Sequence, residues 1–76
     1  MDLPDVKYAI PAETLTATIS ALEFAMIRYE QEAAALLDTA RHEQDETLAK
    51  LGRKLGRKRL EQADRTANLV DFYLHL

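Results

Sequence analysis

From Leu15 to Ala40, apolar side chains recur in alternating steps of four and three: Leu15, Ile19, Leu22, Met26, Tyr29, Ala33, Leu36 and Ala40. That alternation keeps one side of an α-helix apolar and is the seam of a coiled coil or bundle helix. No proline follows Pro11 and no glycine precedes Gly52. Alanine and leucine, both strong helix formers, dominate the stretch between. The pattern predicts one long helix beginning near Ala12 and gives β structure no foothold.

Upstream, Pro4 and Pro11 each disfavour helix in the residue before them, and Pro11 suits the start of a helix. Residues 1–11 therefore read as a short extended arm, and residues 12–76 as the helical domain. The first seam ends at the polar run Arg41-His42-Glu43-Gln44-Asp45-Glu46-Thr47. Asp45 is placed to cap a second helix starting near Glu46, with Leu48 as its first apolar residue. A turn near Gln44 is the preferred break; a break at Gly52 or Gly56 is the alternative.

The second helix carries two stripes when its residues are set at about 100° per step. One is large: Leu48, Leu51, Leu55, Leu69, Phe72, Tyr73 and Leu76. The adjoining one is mostly small: Ala49, Gly52, Gly56, Ala63, Ala67, Val70 and Leu74. A two-helix seam needs only a narrow stripe, so so wide an arc calls for more than one neighbour. An antiparallel hairpin supplies one neighbour, setting Leu36 near Leu51 or Gly52, Met26 near Ala63 and Ile19 near Leu69 or Val70. A second copy of the hairpin is the economical cover for the rest. The expected fold is all-α: an antiparallel hairpin of two long helices that assembles into a four-helix-bundle-like homo-oligomer, most simply a dimer.

Size supports self-association. A chain of 76 residues buries only about 60% of its unfolded surface, so such domains need a disulfide, a metal or oligomerisation. Cysteine is absent, which removes disulfides, thiolate metal sites and cysteine nucleophiles. The acidic start Met1-Asp2-Leu3-Pro4-Asp5 lacks the order of a signal peptide, and no apolar run reaches the ~20 residues of a membrane span. The expected location is cytoplasmic, with no membrane partner.

Charge is uneven. Residues 1–49 carry ten acids and three bases, residues 50–76 seven bases and three acids, giving −7 and +4 within the overall −3. The bases concentrate in the tandem Leu51-Gly52-Arg53-Lys54 and Leu55-Gly56-Arg57-Lys58. Lys50, Arg53, Lys54, Arg57 and Lys58 project together on the polar arc, which fits a phosphate-binding stripe for nucleic acid or an acidic protein. The competing reading pairs them with acids of the first helix, Lys50 level with Asp38 and Lys58 level with Glu30 and Glu32. No aromatic residue interleaves with the bases to stack on nucleotides, which favours the second reading.

Gly52 and Gly56 each cost up to ~1 kcal/mol inside a helix, so they mark either close approach to the first helix or an interruption. Phe24 and Ile27 fall outside the first seam, where a simple hairpin exposes them, and clustered exposed apolar groups mark an interface. His42, with Asp38 and Glu46 four residues to either side, offers one imidazole and two carboxylates for a metal, but at the turn and without a closed ligand set. No Glu-x-x-His motif, phosphate-cradling glycine loop or nucleophile elbow is present. The sequence thus points to a non-enzymatic helical interaction module without a cofactor: an adaptor, a small chaperone or a sequestering regulator. Its interface would comprise Phe24, Ile27, Leu48, Leu51, Leu55, Leu69, Phe72, Tyr73 and Leu76. The alternative function is a nucleic-acid-binding regulator using the Lys50–Arg59 segment.

Overall fold

A computed structural model describes residues 11–75, and these form two antiparallel helices, α1 (Ala12–His42) and α2 (Glu46–Leu74). The N-terminal arm and Leu76 lie outside the described residues. α1 starts directly after Pro11, whose carbonyl accepts the Leu15 N–H at 2.9 Å. Glu13 stands in its first turn and Arg41 and His42 in its last, each charge opposing the helix dipole. The eight seam residues from Leu15 to Ala40 are all buried or half-buried, so the four-three spacing identified the packed side of α1.

The turn needs no glycine because nothing in it enters the left-handed region. Glu43 and Asp45 are both extended, with φ of −80° and −78°, and no residue among those described has a positive φ. Asp45 caps α2: its carboxylate accepts the N–H of Thr47 at 2.9 Å and of Leu48 at 3.4 Å. A cap of this kind satisfies donors that the first helical turn leaves open. Glu43 adds a carboxylate oxygen for the Asp45 N–H at 3.0 Å. The helix then runs unbroken through Gly52 and Gly56, so the alternative break is excluded.

The small stripe of α2 faces α1. The packed positions run Ala49, Gly52, Gly56, Arg59, Ala63, Thr66, Val70 and Tyr73, again in steps of three and four, so Arg59, Thr66 and Tyr73 join the stripe and Leu74, which the sequence placed in it, is exposed. Two glycines let the backbones come close. A Cβ built on Gly52 would meet the Leu36 carbonyl oxygen at 3.5 Å, and one on Gly56 the Ala33 carbonyl oxygen at 3.5 Å. Leu36 therefore lies beside Gly52, as the hairpin register predicts. The glycines serve close packing, not a hinge.

The consequence is a core without large side chains. The buried apolar residues are Ala33, Ala40, Ala49 and Ala63, joined by Gly56 and by Thr66, whose hydroxyl donates to the Gln62 carbonyl at 2.7 Å. Nothing bulkier than a threonine is fully withdrawn from solvent among the described residues. The hairpin is one layer thick, 13 Å in its thinnest direction, and its larger seam residues are only half covered.

Candidate interaction surface

Because alanine and glycine fill the seam, the leucines of α2 stand outside it. Leu48, Leu51, Leu55, Leu69 and Phe72 are between 40% and 55% exposed. They repeat in two seven-residue phases, 48-55-69 and 51-72, which place them on one flank of α2. The side of α1 that shares this face is fixed by a shallow groove of about 180 Å³, lined by Ala35, Leu36, Thr39 and Ala40, by Glu43 of the turn, and by Leu48 and Gly52. In steps of seven from Thr39 and Ala35, α1 also presents Thr18, Ala25, Glu32, Ala21 and Arg28 here. One broad face of the hairpin thus carries large apolar side chains toward both ends of α2, with Lys58, Gln62 and Arg65 between them in the same phases, and is shallow along α1, with alanine and threonine around Arg28 and Glu32.

The other assigned interface residues divide. Phe24 is 70% and Ile27 50% exposed; the seam phase of α1 puts them on its outer side. Tyr73 is half-buried at the end of the α2 seam and meets Phe72 edge-on, ring centres 5.4 Å apart. Leu74, which the sequence groups with the small stripe, is 63% exposed, and Leu60, which it leaves unassigned, is 42% exposed. They occupy one seven-residue phase with Arg53 and Ala67, on the flank opposite the leucine ridge. That phase was available in the spacing and was hidden by the charged residues around Leu60.

The pairing expected for the basic segment is corrected. Among the described residues the ion pair that joins the helices is Arg59 Nε to Glu32 Oε2 at 3.0 Å, with Lys58 of the same helix making none. Arg59 occupies the seam, so it can cross to α1; Lys58, one residue earlier, lies outside the seam and is exposed. Glu32 also receives Arg28 of its own helix at 3.3 Å, and Arg59 donates to the Gln62 side chain at 2.7 Å. Arg53 pairs within α2, with Glu46 at 3.0 Å. Lys50, Lys54, Arg57 and Lys58 are exposed and make no ion pair among the described residues.

The three residues around His42 do not form a ligand set. α1 ends at His42 and α2 begins at Glu46, so the carboxylate of Glu46 is on a different helix. The His42 Nδ1 lies 2.9 Å from the Asp38 carbonyl oxygen. His75 repeats this with the Asp71 carbonyl at 2.7 Å. Among the described residues no group of three histidine or acidic side chains is placed to hold a metal, and no helix is long and apolar enough to cross a membrane. Compared with known proteins, the chain matches no family model, no curated protein and no solved structure.

Proposed function

We propose that this protein is a non-enzymatic helical interaction module that works as a homo-oligomer, a dimer of hairpins forming a four-helix bundle, in the manner of an adaptor, small chaperone or sequestering regulator. One observation carries the reading: the fully buried side chains are alanine and threonine, while Leu48, Leu51, Leu55, Leu69 and Phe72 stay about half exposed. Burying a leucine contributes roughly 1.5–3 kcal/mol, and an alanine seam forgoes most of that. A partner that covers the leucine face restores it. Phe24 and Ile27 lie on the outer side of α1, away from that face, so they remain for a second protein.

Melting at several concentrations tests the reading. Association coupled to folding makes the midpoint rise with protein concentration. A midpoint independent of concentration, for a fully helical chain, contradicts it.

A second reading rests on the four bases that make no ion pair among the described residues. Lys50, Lys54, Arg57 and Lys58 leave an uncompensated basic strip on α2, suited to phosphates or to an acidic protein. Retention on nucleic acid that falls steeply with salt would move this reading to first place.

A further inference from the structure

We infer that two copies of this chain pair face to face about a two-fold axis running along the hairpin, with both turns at the same end. Leu51 and Leu55 of each copy then sit in the groove beside Gly52 of the other. This inference rests on the self-association proposed above and adds its geometry.

The register within the hairpin is set by Arg59 against Glu32 and by Gly52 against Leu36 and Ala40. A two-fold axis along the hairpin lays each α2 over the partner's α1 in that same register. Leu55 then comes level with the partner's Ala35, Leu51 with the partner's Thr39, Leu69 with the partner's Ala21 and Phe72 with the partner's Thr18. These four large side chains each meet a small one, which lets the two layers interdigitate, while Leu48 comes level with the partner's His42 at the turn end of the face.

The groove gives the arrangement its fit. It is mostly apolar, with Glu43 in its lining, holds about 180 Å³ and opens between Ala35 and Thr39 of α1 and Leu48 and Gly52 of α2. The groove is shallow and open, and its room beside Gly52 is of the order of one leucine side chain. The level register brings the partner's Leu51 and Leu55 over it, and symmetry repeats the insertion on the other copy. Turning one hairpin end for end instead puts α1 over the partner's α1. α2 then lies over the partner's α2, so leucine meets leucine and the ridge no longer faces the small residues of α1.

Charge and area agree. The level register sets Lys58, which has no ion pair among the described residues, over the partner's Glu32. End-for-end pairing brings the Lys58 and Arg65 stretches of the two α2 helices together. From Leu48 to Phe72 the ridge runs about 36 Å. A face that long and two helices wide offers on the order of 700–800 Å², close to the standard area per partner.

The chain has no cysteine, so one spin label at Gln44→Cys, in the exposed turn, reports the orientation without background. With both turns at one end, the label-to-label distance falls below about 30 Å; end-for-end pairing separates the labels by about the hairpin length, roughly 44 Å for 29 helical residues. A companion variant, Ala35→Leu, fills the groove from a position exposed in the hairpin, and it is expected to weaken association at least tenfold without loss of helix. A single-chain mass for the labelled and unmodified proteins overturns both this inference and the self-association beneath it. An associated protein with labels more than about 40 Å apart, or with association untouched by Ala35→Leu, overturns the geometry alone.

Discussion

Gly52 lies so close to Ala40 that a Cβ added to the glycine would come within 3.0 Å of the alanine's own Cβ. At Gly56 the added carbon would come within 2.8 Å of the Leu37 side chain and 3.5 Å from the Ala33 carbonyl oxygen. Two glycines that weaken α2 as an isolated helix are therefore what lets α2 dock. The same closeness fills the α2 side of the seam with small residues and leaves Leu48, Leu51, Leu55 and Leu69 of α2 outside it.

Gly52→Val and Gly56→Val each wedge the helices apart. Overpacking of this kind costs typically 1–3 kcal/mol, which is a large part of the stability of so small a domain. Urea melts of both variants are expected to show lower midpoints than the wild type. Midpoints at or above the wild-type value would mean that the close approach does not constrain the fold.

The cap on α2 gives a second measure. Asp45→Ala removes the acceptor of the Thr47 and Leu48 N–H groups and should cost about 1 kcal/mol. Asp45→Asn keeps an acceptor and should lose far less. Thermal midpoints that rank the two variants equally would reject the capping role.

Identical substitutions at two burial extremes separate seam from surface. Ala33 is 0% exposed and Phe24 70%. An unpaired carboxylate buried at Ala33 costs several kcal/mol, so Ala33→Asp is expected to abolish cooperative unfolding. Phe24→Asp should leave the circular dichroism spectrum and midpoint nearly unchanged. Equal effects would show that α1 presents a different side to α2.

How much of this was legible before the fold was known depends on residue type. In α1 the seam is written in apolar residues, and every position from Leu15 to Ala40 in that spacing is buried or half-buried. Asp45 was legible as a cap because side chain, spacing and polar context agree. In α2 the seam includes Arg59 and Thr66, polar residues that a search for apolar periodicity passes over. The sequence therefore suggested Lys58 as the base level with Glu32, whereas the contact belongs to Arg59. The Arg59 stem lies along the seam and its head reaches the edge, as long basic side chains do.

That ion pair is partly exposed, 40% at Arg59 and 39% at Glu32, so it is worth at most about 1 kcal/mol after solvent screening. Arg59→Gln should lower the urea midpoint slightly, and 1 M salt should shrink the difference, since screening acts on the charges and not on the packing. A loss as large as that of Gly56→Val would place the pair at the centre of the fold instead of its edge.

The account stands on the leucine face being covered by a second copy, and sedimentation equilibrium of the wild type beside Leu51→Glu/Leu55→Glu measures that directly. Both leucines are exposed in the hairpin, 50% and 40%, so the substitutions remove an association surface without touching the seam. The wild type is expected to sediment at micromolar concentration with at least twice the 8.6 kDa mass of one chain, and the double variant with the mass of one. A well-folded wild-type protein with the mass of a single chain would contradict the account.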